Sequence, residues 1–307
     1  MEIAVAPPDD DRALPQAAEN TPAAPWDVVE PDARTVPVVF ASPHSGRDYP
    51  TEFLAASRLD AIAVRRSEDA FVDEIFATAP KAGAPLLRAQ FPRAFVDPNR
   101  EAFELDPNMF EDALPSYVNT NSLRVAAGLG TIARVVTSGE EIYDARLCFA
   151  EAKRRIETYY VSYHKALRGL VEVTRERFGV CLLVDCHSMP SVGGPMDNDR
   201  GRRRVDFVLG DCHGTACAPV VTDMARQALA DMGYVVTRNA PYAGGFTTRY
   251  YGRPYDGVHA LQIEINRNLY MDEERITRGP GLPELVARMG QLIQALVAVD
   301  GAALAPS

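Results

Sequence analysis

The feature that most constrains this chain is an alternation. From residue 36 onward, short apolar runs separate segments whose apolar residues recur at helical spacing. Residues 36–42 (VPVVFAS), 84–90, 94–96, 180–186, 206–210, 234–238 and 260–266 read as strands, because continuous apolar runs bounded by turn residues suit a sheet covered on both faces. Residues 71–79, 143–178, 215–232 and 283–299 read as helices. Strands alternating with helices predict an α/β fold, a three-layer α/β/α arrangement around a mixed central sheet. No repeat or linker interrupts residues 32–307, which are expected to form a single domain.

The first 31 residues differ in kind. Six prolines, an acidic triplet at 9–11 and the absence of apolar periodicity predict an extended or disordered arm, because such a segment buries too little surface to offset its ordering entropy. Trp26, the only tryptophan, is expected to pin the arm's end to the body. The arm carries seven acidic side chains and one basic, and so six of the ten excess negative charges of the whole chain. That net charge of -10 argues against nucleic acid or an anionic membrane as partner, since both require a basic footprint. A small acidic ligand held by a few local arginines is not excluded. Neither a secretory signal nor an 18-residue apolar span is legible, and the five cysteines (148, 181, 186, 212 and 217) contain no CxxC pair, so we expect reduced thiols in a cytoplasmic protein.

Loops carry the chemistry. Of residues 42–50 (SPHSGRDYP), 96–101 (VDPNRE), 187–195 (HSMPSVGGP) and 239–249 (NAPYAGGFTTR), three leave strand ends directly, where ligands bind in open α/β sheets. His44 and His187 each leave a buried strand. Two imidazoles so delivered suit a zinc site completed by one carboxylate and a water, the alternative being two hydrogen-bonded loop histidines. The carboxylate could be Glu68 or Asp69, although SED at 67–69 would also make a good helix N-terminus. Asp185 shares a strand face with His187 and could orient its ring. His164, His213 and His259 are expected to be structural.

Glu264 interrupts the apolar run ALQIEI, where an ionised carboxylate is costly unless paired or used. It is a candidate general base, or else a partner of Arg267 or another arginine. Gly244 and Gly245 match no phosphate-binding pattern and read as a mobile wall over the ligand. No GxSxG elbow occurs, and Cys186 beside His187 points to the opposite face of an extended strand, which disfavours a cysteine nucleophile.

Six ordered motifs, SPHSG at 42–46, ED…D at 68–73, DPNR at 97–100, DCHSMP at 185–190, NAPYAGGFTTRYYG at 239–252 and LQIEINRNLYMDE at 261–273, together resemble the N-formylglutamate amidohydrolase family over nearly all of the chain after the arm. That family is similar to the zinc carboxypeptidases in its phosphorylase/hydrolase-like fold. The resemblance implies one catalytic domain, a zinc ion on His44, Asp69 and His187, Glu264 as general base, and Asn99 with Arg100 on a substrate carboxylate. It implies hydrolysis of N-formyl-L-glutamate to formate and L-glutamate, the last step of a histidine degradation route. Arg249 could hold the second carboxylate of such a substrate. One departure is visible: where the family commonly has two aspartates one residue apart, this chain has Ser67 first and retains Asp69. The competing expectations are another metal-dependent amidohydrolase or carboxypeptidase-like enzyme acting on N-acyl amino acids or peptides, and a non-catalytic sensor of amino-acid derivatives.

Overall fold

A computed structural model describes residues 24–195 and 197–306. Its strands are β1 (Trp26–Val29), β2 (Val38–Ser42), β3 (Leu86–Ala89), β4 (Cys181–Met189), β5 (Phe207–Gly210), β6 (Val236–Arg238) and β7 (Val258–Asn266), with a small separate pair, β8 (Met271–Asp272) and β9 (Thr277–Arg278). Its α-helices are α1 (Thr51–Ala56), α2 (Val72–Ile75), α3 (Leu123–Ala126), α4 (Phe149–Arg155), α5 (Val161–Phe178), α6 (Pro219–Asp231), α7 (Phe246–Tyr251) and α8 (Leu282–Val297).

Seven strands form one mixed sheet in the order β1-β3-β2-β4-β7-β5-β6. Strands β3, β2, β4 and β7 run parallel, β1 is antiparallel to β3, and β5 pairs antiparallel with β7 and parallel with β6. The central strands are buried along their whole length, which is why they read as continuous apolar runs.

Alternate residues of the central strands enter two separate apolar clusters. Val38, Phe40, Leu182, Val184, Leu261 and Ile263 pack with α2, α6 and α8. Val39, Ala41, Leu183 and Ala260 pack instead with α1, α4 and α5. Helix α8 buries Leu282, Leu285, Met289, Leu292, Ile293 and Leu296, a stripe at the three-and-four spacing of an amphipathic helix. No helix among the described residues is long and apolar enough to cross a membrane. All five cysteines are free, Cys148 being exposed.

Three local expectations need correction. Residues 94–96 form a turn instead of a strand; their apolar side chains are buried, with Phe95 packed against Phe53 and Tyr159, and no strand among the described residues pairs with them. The long helical segment starts at Phe149, not Tyr143, and contains a π-helical turn at Ile156–Tyr160. Within the expected arm, Trp26–Val29 is an edge strand whose register pairs Trp26 with Ala89, and Trp26 Nε1 donates to Ser162 Oγ at 2.8 Å. The rest of that arm, residues 1–23, lies outside the described residues.

Candidate active site

On the face of β4 and β7 that packs against α5, the residue type changes along the strand. Cys181 and Leu183 give way to Asp185 and His187, and Val258 and Ala260 give way to Gln262 and Glu264. The side-chain period of two keeps each polar set on one face. Register pairs His187 with Glu264 and Asp185 with Gln262 across the parallel ladder, so these polar groups meet at the carboxyl edge of the sheet. Next to them β2 ends at Ser42, two residues before His44. The loop after His44 lies on the exit of β3, where a Cβ at Gly46 would sit 2.2 Å from Phe91 O.

His44 and His187 approach with ring centroids 4.8 Å apart, and both turn Nδ1 toward Asp69 Oδ2, at 3.3 and 2.9 Å. Asp69 N donates to His44 O at 3.0 Å, which ties the two loops together. All three side chains are buried. The far nitrogens face carboxylates. His44 Nε2 donates to Asp97 Oδ1 at 2.8 Å, and His187 Nε2 stands 3.0 Å from Asp185 Oδ1, inside charge contact but off the line of a hydrogen bond. Arg267 Nη2 donates to the other oxygen of Asp69 at 3.1 Å.

The structure separates the two acids that the sequence left open. Glu68 is turned away, accepting from Tyr49 Oη and Arg65, while Asp69 faces both imidazoles. Helix α2 takes no side-chain cap from either residue; it starts after Phe71, which is in the left-handed region at φ 66°.

These donors fit one divalent ion. His44, Asp69 and His187 offer ligand atoms that all lie within 4.8 Å of one another, and each imidazole is backed by a carboxylate, the arrangement that fixes a metal-ligating histidine in its tautomer. The surrounding charge also calls for a cation. Burial opposes ionisation of Asp69, yet the hydrogen bonds from His187 and His44 hold its carboxyl well below the usual range. Burial likewise works against the charge on His187, but Asp185 and Asp69 outweigh it and raise the imidazole well above its ordinary value.

Glu264 is 8% exposed and makes no ion pair with an arginine among the described residues; Gln262 Nε2 donates to it at 2.8 Å. Arg267 therefore does not neutralise it. Burial, with the Asp69 charge adding and the His187 charge opposing, pushes Glu264 up to about 7. A carboxyl so placed can take and return a proton near neutral pH.

A cavity of about 310 Å³ opens over these groups, large enough for an amino-acid derivative. Asn99 and Arg100 line it. Asn99 Nδ2 lies 3.2 Å from His187 Nε2, and Asn99 Oδ1 accepts from Thr247 N at 2.8 Å. This closeness needs a glycine opposite, because a Cβ on Gly245 would fall 2.3 Å from Asn99 Nδ2. Gly245 N donates to Gln262 Oε1 at 2.7 Å, so the glycine loop is fastened to both the site and the sheet. Arg100 donates from Nε to Leu129 O and from Nη1 to Asn99 O. Arg249 is exposed and opens on a neighbouring groove with Cys212 and His213.

Sequence reasoning missed the site roles of Asp97, Arg93 and Gln262. Asp97 accepts from His44, from Asn99 N and from Arg93 Nε, and could have been sought inside the DPNR motif. Gln262 was visible as a second polar interruption of ALQIEI, on the face of Glu264. Arg93 carried no signal.

His164 is structural, as its position within a helix suggested. It bonds to Pro98 O through Nε2 and to Tyr251 Oη through Nδ1, while Tyr160 Oη donates to Arg100 O, so α5 and the π-helical turn before it grip the loop that bears Asn99 and Arg100. Burial, against the pull of Pro98 O, pushes His164 down to about 4. The unfolded chain therefore binds a proton that the folded one refuses between about pH 6.5 and 4, and stability falls as pH falls through that window. From pH 7 to 4.5, wild type is expected to lose about 2 to 3 kcal/mol more unfolding free energy than His164→Gln, read by urea titration. Equal losses in the two proteins would contradict the assignment.

Together with the sheet beneath it, this arrangement defines a hydrolase of α/β construction with a candidate centre for one divalent ion. Residues 36–271 match the N-formylglutamate amidohydrolase family, and the chain belongs to that family. It is 29% identical over 273 residues to an N-formylglutamate deformylase from Pseudomonas putida, covering 86% of this chain and 93% of that one. It is 27% identical over 243 residues to the N-formylglutamate deformylase of Pseudomonas aeruginosa, covering 78% and 84%. The crystal structure of N-formylglutamate amidohydrolase from Ralstonia eutropha JMP134 superposes with a TM-score of 0.82 at 36% identity, over 90% of this chain and 98% of that chain. A gene product of Agrobacterium tumefaciens, at 20% identity and a TM-score of 0.58, shares the fold.

Proposed function

We propose that this protein hydrolyses N-formyl-L-glutamate to formate and L-glutamate, the last step of a histidine degradation route. The observation that carries the reading is Glu264, held in register beside His187 with no arginine ion pair among the described residues, at the edge of a cavity sized for the substrate. Family membership and the relatives' names supply the substrate.

His44, Asp69 and His187 would hold the ion, read as zinc; when bound it polarises the formyl oxygen and acidifies water. Glu264 takes the proton of the attacking water and returns it to the departing amine nitrogen. Arg93, whose Nε is held by Asp97 and whose charge acts on both Glu264 and Asp69, faces the developing oxyanion. Asn99 and Arg100 position a substrate carboxylate, for which the planar guanidinium fork is well matched. The fold is taken as three layers, supported by the two apolar clusters that alternate residues of the sheet enter.

The deciding experiment compares kcat/KM for N-formylglutamate, N-acetylglutamate, N-formylaspartate and a short peptide. N-formylglutamate is expected to be the best of the four. Preference for the acetyl compound or the peptide would place the protein among other metal-dependent amidohydrolases and sink the formyl assignment.

A further inference from the structure

Several guanidinium groups line the cavity, and two of them share one carboxylate with a histidine. Asp97 is shared by His44, Arg93 and Arg100, whose Nη2 lies 3.6 Å away. A third guanidinium lines the same cavity: Arg124, the second residue of α3, half-buried and without a hydrogen-bond acceptor or acidic partner for its side chain among the described residues. Its base is fixed. Ser122 Oγ caps α3 by accepting from Val125 N at 3.0 Å, and Leu129 N donates to Arg124 O at 2.8 Å. The carbonyl of that same Leu129 accepts from Arg100 Nε at 2.8 Å. One turn of chain therefore sets the positions of both arginines.

Burial and the nearby positive charge of Arg249 push Arg124 downward against the pull of Glu104 and Asp97, and Arg124 in turn acts against the charge on Arg100. Cations that share one buried carboxylate are stabilised by a further anion that fills the space between them. We propose that Arg124 binds the side-chain carboxylate of the substrate, while Arg100 and Asn99 take the other carboxylate, and that Arg124 thereby selects dicarboxylic N-acyl amino acids. This rests on the deformylase reading and assigns the second carboxylate to Arg124 in place of the exposed Arg249.

The test uses the ratio of kcat/KM for N-formyl-L-glutamate to that for N-formyl-L-glutamine, an isostere lacking the side-chain charge. In Arg124→Met the ratio is expected to fall about 30-fold, mainly through KM for the glutamate compound, because a charge-assisted hydrogen bond is lost. Arg124→Lys should fall between the two, since lysine restores charge without the fork. Competitive binding of glutarate, measured by calorimetry, should weaken by the same factor. An unchanged ratio in Arg124→Met, or a ratio that collapses in Arg249→Met instead, overturns the assignment. A wild type inactive on N-formylglutamate whose glutarate affinity still depends on Arg124 would reject the deformylase reading and leave the carboxylate site standing.

Discussion

Glu264→Gln is expected to lower kcat about 1,000-fold while leaving substrate affinity close to wild type. The amide preserves the volume of the side chain and can still bond to Gln262, so the β4–β7 register should be kept. What is removed is the ability to accept a proton. Burial lifts Glu264 to about 7, and a divalent ion bound at His44 and His187 would move it lower by attraction, so the acid limb of the kcat/KM profile should lie at or below pH 7. Activity rises with pH through that limb, because the base must be deprotonated. The residual rate of the Gln variant should lack the limb. Turnover within tenfold of wild type, or a variant that no longer binds substrate, would remove Glu264 from the role.

The second large effect concerns the ion. Purified wild type is expected to hold one divalent ion per chain by elemental analysis, and a chelator should abolish activity that added zinc restores. His187→Ala should lose both the ion and the activity. Asp97→Asn removes a carboxylate behind His44 and not a proposed ligand, and should weaken metal affinity about 10- to 100-fold while leaving a site that fills at high metal concentration. This gradation separates ligands from the groups that orient them. A metal-free wild type indifferent to chelation would defeat the mechanism.

How much of this was legible in the sequence follows from where each contact comes from. His44, His187 and Glu264 could be found because each breaks an apolar pattern at the end of a buried strand, a local signal. The resemblance to the family added Asp69, Asn99 and Arg100. What could not be read were partners distant in the chain: His44 and Asp97 are 53 residues apart, His187 and Asp69 are 118. Nothing in a single sequence marks Arg93 or Arg124, since arginines on turns and short helices are ordinary until folding brings them to one cavity. The errors had local causes too. Residues 94–96 look like a strand because a buried turn and a buried strand can share an apolar triplet. Trp26–Val29 was absorbed into a proline-rich context, although its pairing with β3 makes it part of the sheet.

The in-register pairing of His187 with Glu264 separates two kinds of change that this scaffold can undergo. Slipping one strand by a single residue would bring Ile263 or Ile265 opposite His187, take that isoleucine out of the apolar cluster it fills and turn Glu264 into that cluster, so the distance from the candidate metal centre to Glu264 is set by backbone hydrogen bonds. Arg100 and Arg124, by contrast, are placed by the loop around Leu129, which belongs to no strand. In the proposed mechanism, bond-breaking chemistry and substrate choice are thus carried by mechanically separate parts. Grafting a different 122–130 loop should redirect the enzyme toward another acyl amino acid without rebuilding the reactive centre.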